Sequence, residues 1–270
     1  MTWFFIALIG PALWSITNHI DKYLLERFFK GTGPGALLIF SSLIGAFVMP
    51  FIPIVERGVL NVTFFQVFLL VLAGVSFLGG IWLYFRALQK DDTSSVVPLF
   101  QMIPVWGLVL AWIFLGEMLS VSQIVGAALV IIGAVVISMA IEKRKMRFRW
   151  KVFFLMAISA FLDALGGLLF KSVALETGYW VATFWNLVGF VIVAFFILIF
   201  IGSYRRQFID LVRVNAAPIL GLNVLNEVLS MIGGLAFYFA FLLAPLALVQ
   251  TVNGFQPFFV LVYGILLAFF

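Results

Sequence analysis

Residues 64–88 read FFQVFLLVLAGVSFLGGIWLYFRAL, and only Arg86 in this stretch carries a charge. The apolar run is continuous, whereas the strands of a membrane barrel alternate in polarity over about ten residues. A helix needs about 20 mostly apolar residues to cross a bilayer. The stretch therefore predicts a membrane-spanning α-helix.

Eight further runs of this kind bring the total to nine. The runs lie at 3–25, 35–55, 64–88, 95–115, 121–141, 152–172, 179–202, 217–242 and 246–270. Of the 270 residues, 65% are hydrophobic and only 10% are charged, whereas a soluble domain has roughly 25% charged residues. The predicted fold class is an all-α, polytopic transmembrane helix bundle. The last run is still apolar at Phe270, so a tenth helix is expected to be missing.

Basic residues are concentrated on one side of this predicted bundle. Of the 16 Lys and Arg residues, all but Arg57 and Lys171 fall on that side once the runs alternate in direction. The positive-inside rule places the basic side in the cytoplasm and the N-terminus outside. We expect an integral protein of the cell membrane, in contact with lipid, and no nucleic-acid partner, because the positive charge lies in short loops.

Three matched features indicate an internal repeat. Residues 79–85, GGIWLYF, resemble residues 233–239, GGLAFYF. A proline inside a helix follows in each case, at Pro104 and Pro257.

Upstream, residues 40–45, FSSLIG, resemble residues 184–189, FWNLVG, so the order of features is the same in both stretches. We predict a first five-helix half at 1–141, a basic linker loop at 142–151, and a second half at 152–270 that ends after its fourth helix. Five spans per half make the repeat inverted, an arrangement that places substrate near the midplane between halves.

Polar side chains inside the runs are few, and an ionisable residue there costs roughly 2.5–3.5 kcal/mol on insertion scales. We expect such residues to face a cavity and to bind substrate. The substrate-binding candidates are Trp14, Asn18, Tyr84, Gln101, Trp185, Asn223, Asn226, Tyr238, Asn253 and Gln256. Hydrogen bonding between helices is the alternative role for the Asn and Gln residues.

Three ionisable residues are candidates for proton coupling: Glu227, Asp163 and His19. Apolar surroundings disfavour the charged form of a carboxyl group, and histidine titrates near neutrality. Asn223, Glu227 and Ser230 recur at intervals of four and three residues, so they are predicted to share one helix face.

The segments FLGE at 114–117 and QIVGAALVIIG at 123–133 resemble the EamA family of the drug/metabolite transporter superfamily. The resemblance covers essentially the whole chain. It implies a ten-helix fold with a central cavity that moves small metabolites or drugs by alternating access. Two features depart from the family: the second half ends before its own Gly-Glu turn, and the N-terminus is predicted outside.

Other functions are less consistent with the sequence. With no cysteine and one histidine, Cys/His metal sites are excluded and no cofactor is expected. Asp21 and Asp163 could mimic an aspartyl pair, but neither has a distinctive glycine context, so a membrane-embedded enzyme is not expected. A channel needs rings of charges or carbonyls around an axis. A lipid-linked-sugar flippase of the same superfamily stays open, as does a homodimer.

Overall fold

The computed structural model describes residues 2–27, 34–115, 120–137, 139–142, 145–214 and 216–268. Eight of its helical segments are long and apolar enough to cross a membrane, which confirms the polytopic helix bundle. The first half contains α1 Thr2–Arg27, α2 Gly35–Val48, α3 Ile52–Val55, α4 Phe64–Leu88, α5 Thr93–Val96, α6 Met102–Leu115 and α7 Val121–Ile137. The second contains α8 Trp150–Thr177, α9 Tyr179–Phe200, α10 Gly202–Val214, α11 Ala216–Leu243, α12 Leu246–Thr251 and α13 Gln256–Ala268.

The fifth predicted run is shorter than expected. Its helix, α7, has 17 residues, which is the lower end of the length that spans a bilayer. Beyond it, strands β1 Met139–Glu142 and β2 Lys145–Phe148 pair antiparallel, with Met139 opposite Phe148. The backbone bonds of residues 139–142 are thus made to a neighbouring strand, and the predicted linker loop at 142–151 contains β2 and the start of α8. The Gly116-Glu117 turn lies outside the described residues.

The connection between the seventh and eighth runs contains a helix that the apolar runs do not predict. This helix, α10, packs against α2 and α9. The ring of Tyr204 occupies the space where Gly35 has no Cβ. Its hydroxyl accepts hydrogen bonds from Trp82 Nε1 at 3.1 Å and Arg86 Nη2 at 3.0 Å, so α10 is fixed to the basic end of the bundle.

The two halves exchange packing partners. Helix α1 of the first half packs along α11 of the second, and α4 of the first packs along α8 of the second. Helix α2 packs against α9. If α1 corresponds to α8 and α4 to α11, the first two contacts are the same contact seen from each half. A pseudo-two-fold relation between halves would produce this pattern.

Glycines permit a close crossing between the halves, where α4 meets α9. A Cβ at Gly74 would overlap the carbonyl oxygen of Asn186, and a Cβ at Gly189 would lie 3.1 Å from the Cα of Gly74. Gly80, in the first glycine pair of the predicted repeat, behaves similarly, since a Cβ there would meet the Ser159 carbonyl oxygen at 3.1 Å. Small residues let backbones approach in this way in membrane helices.

Two spans are interrupted at corresponding places. In the fourth span a 3₁₀ segment, Val97–Gln101, separates α5 from α6. In the ninth span another, Val252–Phe255, separates α12 from α13. Pro98 lies in the first segment, and Pro257 lies just beyond the second. Proline has no backbone N–H to donate within a helix, which favours such a break. The two segments meet, since Gln101 Nε2 donates to the carbonyl oxygen of Asn253 at 2.8 Å.

A polar cavity between the two halves

The centre of the bundle holds a cavity of about 130 Å³. Helices of both halves form its walls: α1, α2, α4, α8, α9 and α11, with the broken fourth and ninth spans. Nine of the thirteen predicted site residues line it, namely Trp14, Asn18, Tyr84, Asp163, Asn226, Glu227, Tyr238, Asn253 and Gln256. The structure therefore brings most of the predicted site together.

Asp21 is at the centre of a hydrogen-bond cluster that joins three helices. Its Oδ1 accepts from Asn226 Nδ2 at 2.8 Å, and its Oδ2 accepts from the Tyr84 hydroxyl at 3.5 Å. The same hydroxyl lies 3.1 Å from Asn18 Oδ1. The cluster therefore links α1 to α4 and α11 through side-chain hydrogen bonds.

Glu227 joins α11 to α2 across the cavity wall. Its Oε1 accepts a hydrogen bond from Ser41 Oγ at 2.7 Å, and the side chain is buried. The predicted common face of α11 is partly seen: Glu227 and Ser230 both line the cavity, whereas Asn223 does not.

Asp163 differs from the other two carboxyl groups of the cavity. It lies near the middle of α8 and is half-buried. Within the described part of the chain, no donor forms a hydrogen bond to it. Its oxygens therefore remain free to bind a ligand or water in the cavity.

Four predicted site residues lie outside the cavity because their polar atoms are engaged elsewhere or lie too far along a helix. Trp185 donates its indole N–H to the carbonyl oxygen of Val59 at 2.7 Å, and His19 Nε2 lies 3.0 Å from that of Val260. Gln101 makes the bond to Asn253 described above. Asn223 is buried one turn before Glu227, towards the start of α11.

The cavity is also lined by polar residues other than the thirteen predicted site residues. They are Thr17, Asp21, Ser41, Tyr179, Thr183, Asn186 and Ser230, of which Ser230 was predicted to share a helix face with Glu227. Asp21 follows Asn18 by three residues, which puts both on one face of α1. Ser41 gives no comparable signal, since a serine within a span often bonds to its own helix backbone.

Lys22 in α1 and Lys171 in α8, the first helices of the two halves, do not line the cavity. Lys22 Nζ donates to the carbonyl oxygens of Leu88 at 3.1 Å and Asp91 at 2.8 Å, at the end of α4. Lys171 Nζ donates to the carbonyl oxygen of Ala244, at the end of α11, at 2.7 Å. Cations are favoured at helix C-termini, where carbonyls lack intrahelical partners.

Comparisons with known proteins agree with this architecture. A model of the EamA-like transporter family matches residues 1–139. A solved chain, described only as a crystal structure of a protein, superposes with a TM-score of 0.50 at 14% identity. The superposition covers 96% of this chain and 94% of that chain, and at this identity it supports the fold alone. A comparison with curated proteins finds no match.

The family match spans half of the chain, and the helices on both sides of the cavity are long and apolar enough to cross a membrane. The members of this family are transporters. The chain therefore belongs to the EamA-like transporter family and is a multi-pass membrane transporter of the drug/metabolite type.

Proposed function

We propose that the chain binds a small molecule in the cavity between its halves and moves it across the membrane by alternating access. The observation that carries this proposal is a cavity at the centre of an apolar bundle that contains three carboxyl groups and is lined by helices of both halves. Ionisable residues inside a membrane are costly and commonly mark a substrate or ion pathway. Broken helices beside the cavity, as in the fourth and ninth spans, are typical of transporter sites.

Access would alternate because two helix contacts beside the cavity, the seam between α4 and α9 and the seam between α2 and α11, are held together differently. Helices α4 and α9 meet at the backbone, at Gly74 and Gly189. Helices α2 and α11 are joined by the side-chain bond between Ser41 and Glu227. A single hydrogen bond can break without disrupting helix packing, so we infer that the seam between α2 and α11 opens.

Glu227 is well placed to couple this opening to a proton. Its bond to Ser41 would change when the carboxyl group gains or loses a proton. The titratable groups that share its cavity are Asp21 on α1, Tyr84 on α4, Asp163 on α8 and Tyr179 on α9, with Tyr238 further along α11 itself. None of these is basic, so a proton or a bound cation would balance the charge of Glu227.

A variant that fills the cavity tests the proposal. Gly234 lines the cavity, and a Cβ there meets no atom of the described residues within 4 Å, so Gly234→Leu should fill space without displacing a helix. Gly221 on the same helix is equally open but exposed on the outer surface, which makes Gly221→Leu the matched control.

We expect Gly234→Leu to abolish counterflow of a transported compound in proteoliposomes, and Gly221→Leu to retain it. The compound would be found by a thermal-shift screen of amino acids, sugars, nucleotides and cationic dyes. Both variants should melt close to the wild type. Full counterflow by Gly234→Leu would place the substrate path elsewhere.

A further inference from the structure

We propose that the cavity selects small organic cations, and that Asp163 binds their ammonium group. This proposal rests on the transport function proposed above and specifies the substrate class of the same cavity. It follows from the charge of the cavity, from the unequal engagement of its carboxyl groups, and from buried amides that each have one polar atom without a partner among the described residues.

The charge of the cavity is of one sign. Its lining includes three carboxyl groups, Asp21, Asp163 and Glu227, and no Lys, Arg or His among the described residues. The nearest basic side chains on the same helices are used elsewhere, Lys22 and Lys171 on helix-end carbonyls. A positive partner for these carboxylates must therefore enter from solution, as a proton or as a cationic ligand.

The three carboxyl groups are not equally available. Asp21 accepts from Asn226 and Tyr84, and Glu227 accepts from Ser41. Asp163 accepts from no described residue and is only half-buried. Since a carboxylate has room for about four hydrogen bonds, Asp163 is the carboxyl group with the most capacity left for an ammonium group.

Buried amides supply a second, independent indication of a ligand. Asn18, Asn186, Asn226 and Asn253 line the cavity, and each is less than 8% exposed. Among the described residues, one side-chain polar atom of each finds no hydrogen-bond partner: Nδ2 of Asn18 and Asn186, and Oδ1 of Asn226 and Asn253. Buried polar groups are nearly always partnered, so these atoms are suited to a polar ligand or to the waters that accompany it.

Aromatic rings complete the site. Trp14, Tyr84, Tyr179 and Tyr238 line the same cavity, and ring faces attract cations as well as apolar surface. A carboxylate, free amide oxygens and ring faces together suit an amine carried on an aromatic or apolar body. The same lining disfavours an anion, which would have to approach three carboxyl groups without a basic partner.

Four ligands that share one ring and differ in charge test this proposal. They are 2-phenylethylamine, phenylalanine, 2-phenylethanol and phenylacetate, which carry a cation, a zwitterion, no charge and an anion respectively. Binding of each to the purified wild-type protein is measured by calorimetry at millimolar ligand. We expect the amine to bind at least about tenfold more tightly than the other three, because a hydrogen bond to a charged group is worth that factor or more.

Asp163→Asn should then weaken binding of the amine by about tenfold to a hundredfold. Glu176→Gln changes an exposed carboxyl group outside the cavity, so it is the matched control and should bind as the wild type does. If Asp163→Asn fails to fold, the charge series on the wild-type protein still decides the question.

The outcomes separate this proposal from the transport function. Equal or tighter binding of phenylalanine, phenylethanol or phenylacetate would overturn the cation preference, and so would the absence of binding by all four. Amine binding unchanged in Asp163→Asn would overturn the role of Asp163. The transport function stands or falls on counterflow by the wild type and its loss in Gly234→Leu, whichever compound is used.

Discussion

The two predicted halves of the bundle differ in the side chains that they place in the cavity. Tyr84 and Tyr238 each follow the Gly-Gly pair of their half by four residues, and both line the cavity. Tyr84 donates towards Asp21, whereas the ring of Tyr238 packs edge-on against Phe170 with centroids 4.7 Å apart. The two tyrosines thus differ in their partners: Tyr84 donates to a carboxylate and also packs its ring on Phe100, whereas the Tyr238 ring packs on Phe170.

The first helices of the two halves also hold different side chains at matched positions. Asp21 directly precedes Lys22, as Phe170 directly precedes Lys171. Eight residues before each lysine stand Trp14 in the first half and Asp163 in the second. Both pairs line the cavity, so each pair of matched positions holds one carboxyl group and one aromatic ring.

This difference separates what the repeat conserves from what function requires. The lysine that donates to a carbonyl oxygen at the end of a neighbouring helix is found in both halves, and we interpret it as a framework feature that each half needs in order to pack. A cavity shared by two halves needs only one set of charges, and doubling the carboxyl groups would add repulsion at close range. The asymmetric positions are therefore where we place substrate recognition.

The largest expected effect concerns the inverted relation itself. The second membrane span of each half is followed by an exposed residue, Asn61 in the first half and Ser203 in the second. If the halves are inverted, these two connections lie on opposite sides of the membrane. The chain has no cysteine, so Asn61→Cys and Ser203→Cys can be labelled singly.

We expect an impermeant thiol reagent to label Asn61→Cys fully in intact cells and Ser203→Cys only after permeabilisation, because the basic side is predicted to face the cytoplasm. The reverse pattern would keep the inversion and overturn the orientation. Labelling of both variants from the same side would contradict the inverted relation between the halves.

The next effect concerns Glu227, whose matched position in the other half of the predicted repeat is an apolar residue. Glu227 stands seven residues before Gly234, and Ala73 stands seven before Gly80. Glu227→Gln keeps the hydrogen bond from Ser41, since an amide oxygen also accepts, but it cannot titrate. Transport should therefore lose most of its dependence on pH while the affinity for substrate persists.

Transport rates of Glu227→Gln in proteoliposomes, measured across a series of imposed pH gradients, check this expectation. Glu176→Gln should keep the wild-type profile, because Glu176 is exposed and bonds only to Gln66 among the described side chains. A wild-type pH profile in Glu227→Gln would remove Glu227 from proton coupling.

The bundle was largely predictable from sequence because long apolar runs have few alternatives in a membrane. The run at 64–88 coincides with α4. The predicted run 121–141 was wrong at its end, where residues 139–142 pair as a strand. The helix α10 was not predicted, because it lies along the bundle with one apolar face and has no long apolar run.

The site was predictable as a set of residue types more than as individual contacts. Asp163, Glu227 and Asn253 were selected for the cost of burying them, and all three line the cavity. That criterion also selected Trp185 and His19, which bond to backbone carbonyls instead. Intrahelical spacing indicates which face a residue shares, but the partner across the helix contact depends on packing.

The smallest expected effect concerns a connection that differs between the halves. Residues 56–63 join the second and third membrane spans of the first half, from α3 to α4. In the second half, α10 stands between the matched spans, α9 and α11. The Tyr204 hydroxyl anchors α10 by accepting from Trp82 and Arg86, and the Arg86 guanidinium also lies 4.9 Å from the centroid of the Trp82 ring. Tyr204→Phe removes these bonds but keeps the ring that fills the space over Gly35.

We expect Tyr204→Phe to lower the free energy of unfolding by about 1 kcal/mol, the net contribution of a typical hydrogen bond. The loss stays small because Trp82 and Arg86 are only partly buried and can bond to interfacial water. Tyr263→Phe on α13 is the matched control, since its ring contacts Phe259 and none of the described residues accepts or donates a hydrogen bond at its hydroxyl. Thermal unfolding in detergent compares the two variants. Equal melting temperatures for both would mean that the Tyr204 ring over Gly35, and not its hydroxyl, holds α10 in place.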